Sequence, residues 1–181
     1  MSRVSGNRAK TVTIFGTSKA EEGQAAYETS QLLGRQLAQA GFTLANGGYG
    51  GTMLAAARGA QQAGGKVIGV TCRAFKRGRA NPYVTEERPT ETLSERLATL
   101  IALGDAYVVL PGGTGTLLEL ADVWEHKNKG FADADKPILL VGNFWLPLVE
   151  MMQLQDARCG ACVEIVNDAE QAAGVLRERL K

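Results

Sequence analysis

Three short segments rich in glycine, serine and threonine are candidates for binding a phosphorylated ligand. The first loop is Gly16-Thr17-Ser18, the second is Asn46-Gly47-Gly48-Tyr49-Gly50-Gly51, and the third is Pro111-Gly112-Gly113-Thr114-Gly115. Glycine lets the backbone approach a ligand closely, and a helix that follows presents N–H groups and partial positive charge to phosphate. Any one of these loops could also be only a tight turn between a strand and a helix.

The loops lack the signatures of two common nucleotide sites. The chain contains no G-x-x-x-x-G-K-[ST] pattern, and no G-x-G-x-x-G follows the first predicted strand. A P-loop is therefore excluded, and an NAD-dependent dehydrogenase is poorly supported. Two glycine clusters together still favour phosphate or nucleotide binding. The candidate ligand-binding residues are Gly16, Ser18, Gly47, Gly48, Gly112, Gly113, Thr114, Gly115 and Thr116.

Glu119 follows the third loop and has two candidate roles. Thr116-Leu117-Leu118-Glu119 matches a capping box, in which Glu119 would only stabilise the first turn of a helix. A carboxylate beside a phosphate site could instead bind ribose hydroxyls and stabilise an oxocarbenium-like transition state during N-glycosidic cleavage. Asp122, about one helical turn further, could assist. The residues alone do not decide between the two roles.

Arg96 lies in the predicted helix that precedes the third loop. The simplest interpretation is a solvated arginine on an amphipathic helix, and the local pattern favours it. The alternative is that its planar guanidinium binds phosphate or orients Glu119.

Short apolar runs alternate with helical patterns along the chain. Strands are predicted at residues 12–15, 42–45, 66–70, 106–110, 137–141 and 162–166, and helices at about 23–40, 52–63, 92–103, 116–129, 144–155 and 168–179. This alternation predicts one α/β domain over residues 11–181, a doubly wound parallel sheet with helices on both faces. Residues 1–10 are predicted to be a flexible segment. The three loops should meet at the carboxyl edge of the sheet.

Composition excludes several classes of partner. The 181 residues contain 20 Lys and Arg against 19 Asp and Glu, a balance that argues against a broad nucleic-acid surface. No apolar stretch approaches the ~18 residues needed to span a bilayer. We therefore expect a cytoplasmic protein without a nucleic-acid or membrane partner. Three cysteines and one histidine give little basis for a zinc site, and Cys159 and Cys162 are interpreted as small residues that enter a buried strand.

The basic residues at 73–79 have two interpretations. They lie in a segment, residues 72–88, that is predicted to be irregular. The segment could be a solvated loop, or it could be a lid that reaches a phosphate, because it leaves a predicted strand at the same sheet edge.

The run Pro111-Gly112-Gly113-Thr114-Gly115-Thr116-Leu117-Leu118-Glu119 resembles the P-G-G-x-G-T-x-x-E motif of the LOG family. These are the cytokinin-activating phosphoribohydrolases, whose members were long labelled possible lysine decarboxylases. Phe15-Gly16-Thr17-Ser18 is similar to the family's first loop. Residues 46–53 and 63–70 are similar to its glycine-rich loop and third strand, so the resemblance extends roughly over residues 12–141.

The resemblance implies a Rossmann-like fold, usually dimeric, and cleavage of adenosine-type 5′-monophosphates to free base and ribose 5-phosphate without metal or cofactor. By position, Glu119 would be the catalytic carboxylate and Arg96 the catalytic arginine. The phosphate would be held by Gly112, Gly113, Gly115 and Thr116, and the nucleotide site would be lined by Ser18 and Gly48. We therefore expect a homodimer or higher homo-oligomer that binds a small phosphorylated nucleotide-like ligand.

Two departures from the family's usual pattern define an alternative. Leu97 follows Arg96 where the family usually has lysine, and the second loop continues as N-G-G-Y-G-G-T-M rather than G-G-G-x-x-G-L-M-G. This looser pattern also resembles the molybdenum-cofactor carriers of the wider superfamily, which bind without catalysis. Lysine decarboxylation is not expected, because pyridoxal chemistry needs a Schiff-base lysine and no motif singles one out.

Overall fold

A computed structural model describes residues 8–76, 78–131 and 134–180 of the chain. In these residues seven strands form one sheet: β1 (Thr11–Phe15), β2 (Thr43–Asn46), β3 (Val67–Cys72), β4 (Glu86–Thr90), β5 (Ala106–Val109), β6 (Ile138–Val141) and β7 (Glu164–Val166). The α-helices are α1 (Ala25–Gln39), α2 (Thr52–Gln62), α3 (Leu93–Leu103), α4 (Thr114–Asn128), α5 (Leu146–Gln153) and α6 (Ala169–Arg179). All strand pairs are parallel, in the order β4-β3-β2-β1-β5-β6-β7.

The helices cover both faces of the sheet, as predicted for a doubly wound α/β fold. On one face, α1, α2 and α6 pack side chains such as Leu33 and Leu37 against the strands. On the other face, α3, α4 and α5 contribute Leu100, Leu120 and Val149 to a second core cluster. The central strands are buried along their whole length, which is why they appear in the sequence as continuous apolar runs.

The order in which strands are added to the sheet reverses between β1 and β5. β1 pairs with β2 on one side and with β5 on the other. A crevice opens at such a switch point, outside the carboxyl ends of the strands. The first loop follows β1 and the third follows β5, so they lie on opposite sides of the crevice. The second loop follows the neighbouring strand β2.

Residues 72–88 were predicted to be irregular, but their last three residues belong to a strand, β4, that was not predicted. β4 pairs with β3 from Ile68↔Glu86 to Cys72↔Thr90. Only Thr90, the last residue of β4, is fully buried. Charged residues and proline are common on edge strands, where they block pairing with other chains. The EERPT sequence therefore lacks the apolar pattern on which strand prediction depends.

Other element boundaries also differ from prediction. α4 begins at Thr114, two residues earlier than expected, and α5 is shorter at both ends. β7 begins at Glu164, because residues 159–162 form a short 3-10 turn instead of entering the strand.

At the start of the chain, residues 1–7 of the predicted flexible segment lie outside the described residues. Within the described part of that segment, Arg8 is paired with Asp105, with an Nη2 to Oδ2 distance of 3.2 Å. No helix within the described ranges is long and apolar enough to cross a membrane.

Candidate active site

A cleft of about 570 Å³ opens at the carboxyl edge of the sheet, between the loops that follow β1 and β5. Most residues predicted for the site line it: Gly16, Ser18, Gly47, Arg96, Gly113, Thr114, Gly115, Thr116 and Glu119. Gly48 and Gly112 do not. A methyl group added at Gly48 would face Gly69 and Thr71 of β3, and one at Gly112 would collide with the Thr116 side chain. The structure therefore assembles in one place residues that are up to 103 positions apart in the chain, from Gly16 to Glu119.

The N-terminus of α4 forms part of the cleft wall. Gly113 is the N-cap residue, and no side chain caps the helix there. The first hydrogen bond of the helix runs from the Leu117 N–H to the Gly113 carbonyl at 2.9 Å. The amides of residues 114–116 therefore make no hydrogen bond within the helix. A methyl group added at Gly113 or Gly115 would meet no atom within 4 Å. This helix end is suited to an anion, because it carries partial positive charge, has no side-chain cap, and is exposed at residues 113–115.

Glu119 does not cap α4, so the capping box, one of its two candidate roles, is wrong. Because the helix begins at Thr114, Thr116 lies inside the first turn and Glu119 lies in the second. The Glu119 carboxylate instead faces α3, where Arg96 Nη1 lies 3.5 Å from Glu119 Oε1. Of the two roles left open by the sequence, this geometry excludes the capping role, and Glu119 lines the cleft.

Burial changes the acidity of Glu119. Its side chain is 12% exposed and that of Arg96 is 9% exposed. Burial raises the pKa of the Glu119 carboxyl from 4.5 to about 7, against the smaller opposing effect of the Arg96 charge. Glu119 is therefore poised to change protonation near neutral pH, a property often found in functional clefts.

Arg96 is buried, so the interpretation as a solvated arginine is wrong. Its Nε donates a hydrogen bond to the Val70 carbonyl at 2.9 Å. Its guanidinium carbon lies 5.5 Å from the centroid of the Phe75 ring and 5.9 Å from that of Tyr49, within cation–π range. Gly47 makes room for this group, because a methyl there would lie only 1.8 Å from Arg96 Nη2.

The first loop is tied to the start of α2. The backbone N–H and the hydroxyl of Thr52 both donate to the Thr17 carbonyl, at 2.9 and 3.0 Å. Gly51 precedes α2 with a φ of 65°, and a methyl there would lie 2.3 Å from the Thr17 carbonyl oxygen. This close contact fixes the side of the cleft where Ser18 and Lys19 are exposed.

Sequence reasoning missed the apolar part of the cleft and one of its cations. The missed lining residues include Lys19, Tyr49, Met53, Phe75, Leu93, Leu97 and Leu118. Leu93 and Leu97 are four residues apart on the helix that contains Arg96, a spacing that could have indicated a shared face. Nothing in the sequence marks Phe75, which lies in a 3-10 turn within the basic segment.

The basic segment contributes an aromatic ring to the cleft, where one of its two interpretations expected a cation that reaches a phosphate. Arg73 pairs with Glu91 on the surface, with an Nη1 to Oε1 distance of 2.7 Å. Phe75 is the residue of the described segment that lines the cleft. Within the described ranges, no group of three or more His, Cys, Asp or Glu side chains could hold a metal ion.

The fold and the cleft define an α/β protein with an uncapped helix N-terminus at the switch point of a parallel sheet. The chain belongs to the LOG family: its residues 53–176, more than half of its length, match the family model described as "Possible lysine decarboxylase". This confirms the resemblance seen in the sequence.

Individual relatives support the same assignment. The chain is 37% identical over 116 residues to the cytokinin riboside 5′-monophosphate phosphoribohydrolase of Mycobacterium tuberculosis, covering 63% of this chain and 61% of that protein. It is 29% identical over 147 residues to the enzyme of the same name from Rhodococcoides fascians, covering 80% and 74%. The molybdenum cofactor carrier protein of Chlamydomonas reinhardtii shares the fold, with a TM-score of 0.77, 24% identity, and 96% and 99% coverage.

Proposed function

We propose that this protein is a phosphoribohydrolase that cleaves a nucleoside 5′-monophosphate to free base and ribose 5-phosphate. The observation that supports it most strongly is the buried Arg96–Glu119 pair beside the uncapped N-terminus of α4. The names of the relatives from Mycobacterium tuberculosis and Rhodococcoides fascians point to the same reaction.

The distance between the N-terminus of α4 and Glu119 suits a ribose 5-phosphate group. Glu119 lies four residues after Gly115 on the same helix, a rise of about 6 Å at 1.5 Å per residue. That rise is comparable to the span of one ribose between its 5′-phosphate and its anomeric carbon. A phosphate on the amides of residues 114–116 would therefore place the sugar beside the carboxylate. The apolar side chains of Leu93, Leu97 and Leu118 offer a surface for the base.

The proposed reaction breaks the bond between the anomeric carbon and the base nitrogen. Water supplies a hydroxyl group to the carbon and a proton to the base. Positive charge develops on the ribose ring in the transition state, and an ionised Glu119 would stabilise it. The charge of Arg96 lowers the pKa of Glu119 against the effect of burial, which keeps the carboxylate available near neutral pH.

A chromatographic assay tests this proposal. Purified protein is incubated with AMP or an N6-prenylated AMP, and the free base is measured. We expect base release that falls at least about 100-fold in Glu119→Gln, as for other losses of transition-state charge stabilisation. Glu125→Gln is the matched control, because Glu125 lies on the same helix but pairs with Lys129 in solvent. Unchanged release in Glu119→Gln would contradict the role of the carboxylate.

A second candidate function is non-catalytic binding of molybdenum cofactor or a related nucleotide. The supporting observation is Leu97, which lines the cleft beside Arg96 where the family usually has lysine. Calorimetry with nucleotides and pterin phosphates tests it. Tight binding without product, and with the same affinity in Glu119→Gln, would favour the carrier function over the hydrolase.

We also propose that the protein forms a homodimer. Trp124 is an apolar residue that could belong to such an interface, but it is buried within the chain, where its indole N–H donates to the Cys159 carbonyl at 2.8 Å. It is therefore a core residue, as the simpler interpretation of the sequence has it. Large apolar side chains that a second copy could cover include Phe144, Met151 and Leu154. Light scattering at micromolar concentration should give twice the chain mass of 19.2 kDa, and a monomer would contradict the proposal.

A further inference from the structure

Tyr49 connects two parts of the cleft wall through its hydroxyl group. The phenol oxygen accepts a hydrogen bond from the Cys72 N–H at 2.8 Å and donates to the Cys72 carbonyl at 3.2 Å. Cys72 is the last residue of β3 and directly precedes the 3-10 turn that contains Phe75. The second loop therefore determines where the chain leaves β3.

The backbone of Tyr49 is itself held firmly. The Asn81 side-chain amide donates to the carbonyls of Gly48 and Tyr49, at 3.1 and 2.9 Å. The Gly48 N–H donates to the Asn46 side chain at 2.8 Å, and Asn46 is fully buried. These bonds make the second loop a rigid support for the Tyr49 ring.

The rings of Tyr49 and Phe75 contact the same guanidinium. Their centroids are 6.2 Å apart, and Arg96 lies within 6 Å of both. The distance from Arg96 Nη1 to Glu119 Oε1 is 3.5 Å, longer than the 2.7–2.9 Å typical of a charge-assisted hydrogen bond. The ion pair alone therefore holds Arg96 weakly, and the aromatic contacts and the Val70 carbonyl determine where its charge lies.

We propose that Tyr49 is a positioning residue, which with Phe75 fixes Arg96 and thereby sets the charge that acts on Glu119. This inference rests on the proposed function, in which Arg96 and Glu119 are the catalytic pair. It gives a role to Tyr49, the aromatic residue of the second loop, for which the sequence suggested none.

The charged surroundings of Glu119 make this role measurable. Arg96, from α3, is the charged group that acts on Glu119 directly. Lys19 lines the cleft from the first loop and is exposed to solvent. On the same helix, Asp122 lies 3.3 Å from His126 and is paired with it. A displacement of Arg96 should therefore raise the pKa of Glu119 above its value of about 7.

The test is the substitution Tyr49→Phe, which removes the bonds to Cys72 but keeps the ring. We expect kcat with AMP to fall about tenfold while KM changes less than about twofold, as for a small displacement of a catalytic group. The acidic limb of the pH profile should move to higher pH, so that part of the lost activity returns above pH 8. Tyr27→Phe is the matched control, because this buried hydroxyl lies 3.5 Å from Arg58, outside the cleft.

Titration of Glu119 by carbon-13 NMR gives a readout that needs no turnover. A higher Glu119 pKa in Tyr49→Phe than in the wild type supports the inference, and an unchanged pKa overturns it, whatever happens to activity. If Tyr49→Phe does not fold, Phe75→Leu addresses the same question, because Phe75 is 36% exposed and tolerates replacement more readily. If the wild type cleaves no nucleotide, the proposed function fails, while the titration still decides whether Tyr49 positions Arg96.

Discussion

The second and third loops are both rich in glycine, but the structure uses them differently. In the second loop, residues 46–49 are buried and their polar groups bond to neighbouring protein groups, among them Asn81 and the start of α2. In the third loop, Gly113 and the first residues of α4 are exposed and no side chain caps the helix. One loop is a support for Arg96, and the other faces the space where a ligand would bind.

This difference shows that a glycine-rich loop at the edge of a parallel sheet has two possible uses. At Gly47, the absence of a side chain makes room for a protein group, the Arg96 guanidinium. At Gly113 and Gly115, it leaves space that no protein atom fills. Substituting alanine in each loop therefore separates the two uses.

Gly47→Ala should have the largest effect. The new methyl would lie 1.8 Å from Arg96 Nη2 and 2.7 Å from the Met53 sulfur. We expect the free energy of unfolding to fall by about 1–3 kcal/mol, as for other overpacked cores. Base release should fall about 100-fold, because Arg96 must move. Thermal denaturation and the chromatographic assay measure the two effects, and wild-type values for both would contradict the supporting role of the second loop.

The second prediction concerns pH and stability. Because the pKa of Glu119 is raised from 4.5 to about 7 in the folded protein, the folded state binds the proton more tightly than the unfolded chain. The bound proton therefore stabilises the folded state by about 3 kcal/mol below pH 4.5, and this contribution is lost as the pH rises from 4.5 through 7. Urea unfolding of the wild type and Glu119→Gln at several pH values measures it. A constant difference between the two proteins would show that Glu119 titrates normally.

Gly115→Ala should affect ligand binding more than folding. Alanine is a better helix former, so stability should rise by up to about 1 kcal/mol. The methyl occupies space beside the helix amides, and the Kd for AMP should increase about tenfold, or 1.4 kcal/mol. The matched control is Gly50→Ala in the second loop, where a methyl has room at 3.8 Å from the Ser18 carbonyl. Equal AMP affinity in the wild type and Gly115→Ala would argue against a phosphate site on α4.

Arg73→Ala should have the smallest effect. Arg73 and Glu91 form a pair whose side chains are 70% and 63% exposed, and such pairs contribute at most about 1 kcal/mol to stability. AMP affinity should stay within about twofold of the wild type, because Arg73 does not line the cleft. A much larger loss of affinity would support the alternative in which the basic segment closes over the ligand.

Much of the fold was accessible from the sequence. Continuous apolar runs marked the buried central strands, and their alternation with helices correctly indicated a parallel sheet with helices on both faces. β4 was not predicted, because an edge strand needs little apolar surface and the β4 sequence EERPT has almost none. The start of α4 was placed too late, because Thr116 and Glu119 imitate a capping box while the backbone turns at Gly113.

Many residues of the site could be predicted from the sequence, but the contacts between them could not. The glycine loops and Glu119 were identified from residue types, and the topology explains why they meet. The burial of Arg96 was not predicted, because it depends on contacts with Val70, Phe75 and Gly47. These residues lie 21 to 49 positions away along the chain. The different uses of the two glycine loops could not be predicted either, since they depend on the hydrogen bonds of Asn46 and Asn81.

The most direct test of the central claim is a crystal structure of Glu119→Gln with AMP bound. We expect the 5′-phosphate within hydrogen-bond distance of the amides of residues 114–116, and the ribose hydroxyls beside the side chain at position 119. We also expect the second loop to contact Arg96 and to make no contact with the phosphate, which α4 binds. A phosphate bound by the amides of the second loop, or a ribose distant from position 119, would contradict the account.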